Sequence, residues 1–394
     1  MGAATWPAGA VRKALSLLPW QRHSPPGWRA VQFFLWTGRV AEAAARCRLL
    51  ALSQPDREDL SARVGLFLLA TGGDSAEALE RLYKAVDAEP LSAGLRYWLA
   101  EALTMAGDRA GALQQLEIGM QINPSLPEFW LAKGRLLLVM GATREALLYL
   151  DGALAALPSN GPLWNDRGLC LDQLGRLDAA VQSLRRAARL MPRDGAVWAN
   201  LGLVLQKARR PDEALKCFRK ALELRAPDPV LLNNVGYSLM AAGRVEEAIE
   251  SYRQASLLDQ SSVETLGNLS AALGKSGRRP EALAVLEQAL LRAPGDPTLL
   301  NNKGHMLREL GRYKEALACF DAALEGRPED AALLANKAAC HFAMGAYEQA
   351  LTIYRLAVLV DPGNREHLWS LGACFERLGR PEEALDCFNQ AIGA

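Results

Sequence analysis

The tetrapeptide LLNN occupies residues 231–234 and returns at 299–302. The offset is 68 residues, twice 34, and each copy sits in a stretch that otherwise reads as helix. An interior asparagine costs a helix about 0.5–0.7 kcal/mol relative to alanine. A pair that recurs in register therefore asks for a period and for a reason to be kept.

Rows of 34 residues starting at Asp59 align ten times without an insertion. The twentieth place is alanine in every row, from Ala78 and Ala112 through Ala350 to Ala384. The eighth place is small in all rows but the first: Ala100, Gly134, Gly168, Gly202, Gly236, Ser270, Gly304, Ala338 and Gly372 follow Leu66. The fifteenth is glycine in nine rows, with Arg209 the exception, and the twenty-seventh is alanine in nine, with Gly119 the exception. Proline holds the thirty-second place at 90, 124, 158, 192, 294, 328 and 362.

Each place has a mechanical reading. Two helices approach closely only where the contact residues are small, so places 8 and 20 predict a tight helix pair within a row. Place 27 predicts close packing on the next row. Glycine at place 15 ends the first helix in a left-handed residue, and proline at place 32 stops the second. Large residues at places 4, 11 and 24 fill the core, among them Trp130, Trp164, Leu137, Phe218, Tyr252 and Phe320.

This pattern resembles the tetratricopeptide repeat (TPR) family over residues 59–394. The resemblance implies an all-α fold, a right-handed α-solenoid of helix–turn–helix units whose first helices line a concave groove. A degenerate first repeat is expected over 24–58, where Gly38, Ala43 and Pro55 occupy places 15, 20 and 32. Residues 1–23 are expected to form an N-terminal segment, and the tenth unit is expected to end without a capping helix. Arg209 at a turn place, followed by Ala226 and Gln260 at two stop-proline places, predicts a soft point near 207–229. Faster amide exchange there than in the flanking repeats is the expected result.

At about 100° per residue, places 4, 8 and 11 share one side of the first helix and places 2, 6, 9 and 13 the other. Place 6 reads Asn200, Asn234, Asn268, Asn302 and Asn336 in five successive rows. An amide both donates and accepts, so such a row can grip an extended backbone whatever its side chains. The ladder resembles the TPR superhelix of O-linked N-acetylglucosamine transferase, which implies that these five asparagines hold substrate polypeptide. Asn233 and Asn301, one place earlier, join the candidate set. Val64, Trp98 and Ala132 break the ladder in earlier rows. The competing reading is duplication, in which copied units simply keep their asparagines.

The same face is apolar near the N-terminus: Tyr97, Trp98, Met105, Leu131, Leu138 and Val139 are expected at its wet side. Such a patch marks either an interaction site or a surface covered by 1–23, which carries Val11, Leu15, Leu18 and Trp20. At the other end, Leu385 and Phe388 are expected to be partly uncovered, favouring self-association or a docked partner.

Lys and Arg number 45 against 44 Asp and Glu, a net charge of +1. That balance disfavours nucleic-acid binding, including the RNA readout of the related 35-residue pentatricopeptide repeats. No apolar run approaches the roughly 18 residues of a membrane span. The stretch ALSLLPW at 14–20 is too short and proline-broken for a secretory signal, so a cytoplasmic location is expected. Six of the seven cysteines fall in phase with the repeat, Cys217, Cys319 and Cys387 in one place and Cys170, Cys340 and Cys374 in another, as small hydrophobes would. No metal site, cofactor or catalytic motif is expected, and the chain is predicted not to be an enzyme. His305 is expected on a polar groove wall and His341 in the core register. The carboxylate-clamp pattern that captures chaperone tails is absent from any three consecutive rows. The expected function is a protein-interaction scaffold. The alternatives are a self-assembling or complex-organising scaffold and the recruiting subunit of a separate glycosyltransferase.

Overall fold

The computed structural model describes residues 27–54, 58–71 and 74–393. The expectations for 1–23 lie outside them. Among the described residues every regular element is an α-helix, 22 in all, with no strand. The protein is an all-α solenoid of helical hairpins, and within each of its two compact units helices adjacent along the chain pack on one another. The two LLNN repeats pair Pro229–Ala241 with Val245–Leu258 and Pro297–Glu309 with Tyr313–Gly326. Between Pro192 and Arg193 the chain divides into two compact units, an N-terminal and a C-terminal half. The 34-residue period runs through this division without a break, so the sequence gives no warning of it.

The turn glycines are left-handed as the period requires, with φ of 72–88° at Gly107, Gly141, Gly175, Gly243, Gly277, Gly311, Gly345 and Gly379. Arg209 adopts the same conformation at φ 57°, alone among the described non-glycine residues. Its turn closes like the others: Arg210 N–H donates to the Leu205 carbonyl at 2.9 Å, just as Arg244 N–H does to Leu239. The strain is therefore local. Glycine at 209 would remove roughly 1–2 kcal/mol of it while adding about 0.5–1 kcal/mol of unfolded-chain entropy. Arg209→Gly is expected to raise stability by up to about 1 kcal/mol in urea denaturation. A lower midpoint would contradict this account of the turn.

Within each hairpin the small eighth residue meets the large twenty-fourth. A Cβ added at Gly202, Gly236, Gly304 or Gly372 would lie 2.5–2.7 Å from the ring of Phe218, Tyr252, Phe320 or Phe388. Leu150 and Leu184 fill the same role against Gly134 and Gly168. Alanines at place 20 are buried throughout the described rows, as are those at place 27, which let the next hairpin settle close.

The exception at place 27 has a partner. A Cβ on Gly119 would stand 2.2 Å from the ring of Phe129, a fully buried residue in the next hairpin. Leucine occupies the place of Phe129 in five other rows, as in Leu95 and Leu163. Gly119→Ala gains about 0.5–1 kcal/mol of helix propensity but overpacks at about 1–3 kcal/mol. We expect a net loss near 1 kcal/mol, recovered in Gly119→Ala/Phe129→Leu. Additive losses in the double variant, read by thermal denaturation, would show that the two sites are independent.

Side chains just before the first helices complete the frame. Asp194, Asp228, Ser262, Asp296, Asp330 and Asn364 accept from backbone N–H groups of the first turn, each contributing about 1 kcal/mol. Four ion pairs join the first helix of one repeat to the second helix of the preceding one: Lys133–Glu117, Arg167–Asp151, Lys303–Glu287 and Lys337–Asp321. All seven cysteines are free. Burial pushes the Cys170, Cys340 and Cys374 thiols up to about 11, consistent with inert packing residues.

Candidate functional site

The first helices of the C-terminal half are sided. On Pro229–Ala241, Leu232, Gly236 and Leu239 face the core, whereas Val230 and Tyr237 are 67% and 54% exposed. Ala196, Glu264, Thr298 and Ala332 hold the place of Val230 in other rows and are exposed too. Asn200, Asn234, Asn268, Asn302 and Asn336 lie on this open side, each half-buried because first helices of neighbouring repeats touch one another.

The five amides are not equivalent. Asn268 Nδ2 donates to Asn233 Oδ1 at 3.1 Å, and Asn336 Nδ2 donates to Asn301 Oδ1 at 3.0 Å. Asn233, buried to 6% exposure, also donates to Glu264 Oε1 at 3.2 Å. The first asparagine of each LLNN thus serves the inside of the scaffold, clamping the next repeat's place-6 amide. Where that clamp is missing the row carries Gly267 or Ala335 instead, which explains the 68-residue offset. The amides of Asn234 and Asn302 carry no hydrogen bond within the described residues and stay open to a ligand. Asn233 and Asn301 were expected among the ligand-facing residues; Asn233 is buried with both polar ends engaged, whereas Asn301 is half-buried and accepts from Asn336 through its Oδ1. The alternation of Asn with Gly and Ala at place 5 was the available signal.

Around the open amides the chemistry differs. Asn234 sits between Val230 and Tyr237, four residues before it and three after, on one helical face. Asn302 is followed by His305, Arg308 and Glu309. Arg279 Nε donates to Glu309 Oε2 at 2.6 Å, and His305 Nε2 lies 3.8 Å from Glu309 Oε1. The Arg279 hydrogen bond holds the Glu309 carboxyl below the usual range. Burial, with Arg308 adding to it, lowers the proton affinity of His305 and so favours the neutral ring. Arg308 is half-buried, and its charge also lowers the Glu309 carboxyl without a hydrogen bond to it.

The apolar patch of the N-terminal half is largely inside. Trp98 is 5% exposed and forms an edge contact with Tyr97, ring centroids 4.7 Å apart; Tyr97 reaches Phe129 at 5.7 Å. Burial pushes the Tyr97 phenol and the Glu101 carboxyl up. Leu131 and Leu138 are half-buried, leaving Met105 and Val139 exposed at 51% and 63%. The expected wet face fails at Trp98 because neighbouring first helices close the seam that a single helical wheel leaves open. His341 is half-buried although leucines in its register are core residues, and burial lowers its proton affinity. Leu385 is 58% exposed and Phe388 packs on Trp369, centroids 4.7 Å apart.

Among the described residues no group of three or more His, Cys, Asp or Glu is placed to hold a metal ion. No helix among them is long and apolar enough to cross a membrane.

Known proteins place this arrangement in a family. Residues 269–331 and 307–373 each match a tetratricopeptide repeat family. Solved structures similar to parts of this chain include a tetratricopeptide repeat protein from Parabacteroides merdae, 16% identical, covering 57% of this chain and 90% of its own, with TM-score 0.47. PilF of Pseudomonas aeruginosa is 23% identical over 52% of this chain and 94% of its own, TM-score 0.45. YrrB, described as a TPR protein with an unusual peptide-binding site, is 20% identical over 45% and 92%, TM-score 0.40. No curated protein sequence matches the chain. Residues 41–294, well over half of the chain, match the Cilia and flagella-associated protein 70 C-terminal domain, and the chain belongs to that tetratricopeptide-repeat family.

Proposed function

We propose that the chain is a non-enzymatic scaffold that holds an extended polypeptide along the open face of the first helices in its C-terminal half. The observation that carries this reading is the pair of half-buried, open amides at Asn234 and Asn302. Each can donate to a backbone carbonyl and accept from a backbone N–H of a bound chain. At about 0.5–1.5 kcal/mol net for each hydrogen bond, four such bonds contribute about 2–6 kcal/mol. Asn268 and Asn336, oriented by Asn233 and Asn301, present their carbonyl oxygens between and beyond the two open rungs.

RNA readout at place 5 is disfavoured by chemistry, since both polar ends of Asn233 already have partners in the protein. The test compares proteins retained by the wild type with those retained by Asn234→Ala/Asn268→Ala/Asn302→Ala of equal helicity, each identified by mass spectrometry. Selective loss of partners from the variant supports the reading. Identical partners would make the asparagines remnants of duplication.

A further inference from the structure

Resting on that reading, we infer that the polypeptide held on this face carries an apolar or aromatic side chain and an acidic side chain five or six residues apart.

The spacing comes from the two open amides. Asn234 and Asn302 are two repeats apart, and the first helices between them touch. Packed helices lie about 8–10 Å apart, so two steps span roughly 16–20 Å. An extended chain advances about 3.3 Å per residue, which sets five or six residues between the two contacts. The rung between them offers the small residues Gly267 and Ala271 beside Asn268, and the exposed Glu264, whose carboxylate accepts from Asn233 at 3.2 Å.

The residue classes come from what flanks each amide. Tyr237 and Val230 are more than half exposed on either side of Asn234, a surface that favours an apolar or aromatic side chain. At the other rung, Arg279 and Arg308 face a single carboxylate, Glu309, which Arg279 already engages at 2.6 Å. Arg308 is half-buried, and its charge acts on Glu309 without a hydrogen bond to that carboxylate. A guanidinium in that state favours a carboxylate, which it can bind through two parallel N–H donors. Exposed Lys275 on the intervening first helix has the same sign.

The test selects phage-displayed random twelve-residue peptides on the full chain, on Arg308→Glu, on Tyr237→Ser and on Asn234→Ala/Asn302→Ala, with circular dichroism confirming equal helicity. Wild-type selection is expected to enrich an aromatic or aliphatic residue five or six positions from Asp or Glu. On Arg308→Glu the acidic place should change to Lys or Arg at the same spacing, and recovery of the wild-type peptides should fall at least tenfold. On Tyr237→Ser the apolar preference should be lost. If wild type and Arg308→Glu return the same peptides, the inference is wrong while the scaffold reading stands. If the asparagine variant returns the wild-type peptides undiminished, or wild type enriches none, the scaffold reading itself falls.

Discussion

Phe320→Ala is expected to destabilise the C-terminal half by about 3–5 kcal/mol. The ring is fully buried and lies directly over Gly304, where even one added carbon would come within 2.7 Å. Removing it leaves a cavity between two helices already held at contact distance by a glycine, so they have little room to collapse. The loss propagates because repeat arrays draw much of their stability from interfaces with neighbours. Leucine fills the same place in Leu286 and Leu184, so Phe320→Leu is expected to cost nearer 1 kcal/mol. Urea denaturation followed by circular dichroism measures both. A loss under 1 kcal/mol for the alanine variant would mean that the glycine–aromatic contact does not set the hairpin's stability.

The second large effect separates binding from folding. Asn234→Ala/Asn302→Ala removes two amides that bond nothing among the described residues, so stability should hold or rise by up to about 1 kcal/mol from helix propensity. Affinity for a groove peptide should fall at least tenfold, the equivalent of about 1.4 kcal/mol. Asn233→Ala/Asn301→Ala should behave in the opposite way. It cuts the bonds from Asn268 and Asn336 and the bond to Glu264, at about 0.5–1.5 kcal/mol for each hydrogen bond lost, since the groups left behind are half-buried or exposed. Titration calorimetry beside denaturation distinguishes the two pairs. Equal effects on binding and stability in both variants would contradict the division of labour between places 5 and 6.

How much of this was legible in the sequence follows from the range of each interaction. Glycine, alanine and proline places report backbone geometry and helix approach, both local to a 34-residue unit, and they foretold hairpins, turns and even the left-handed Arg209. The wheel of one helix says nothing of what lies beside it. Trp98 was therefore read as wet, although the seam between first helices buries it. The same blindness hid the role of Asn233, whose partners lie 31 and 35 residues away. Gly119 was read only as a deviation, because its cause, Phe129, sits in the next repeat. The division at Pro192 leaves no mark in the period at all.

The central claim is that the open amides of Asn234 and Asn302 are the contacts that hold a polypeptide. The most direct test is nuclear magnetic resonance of protein labelled with 15N at asparagine side chains, titrated with the peptide most enriched on the wild type. Single Asn→Gln variants assign the signals. The account predicts that the Nδ2 resonances of Asn234 and Asn302 move furthest, Asn268 and Asn336 move less, and Asn233 and Asn301 stay nearly fixed. A peptide that binds while Asn234 and Asn302 remain unmoved would contradict it.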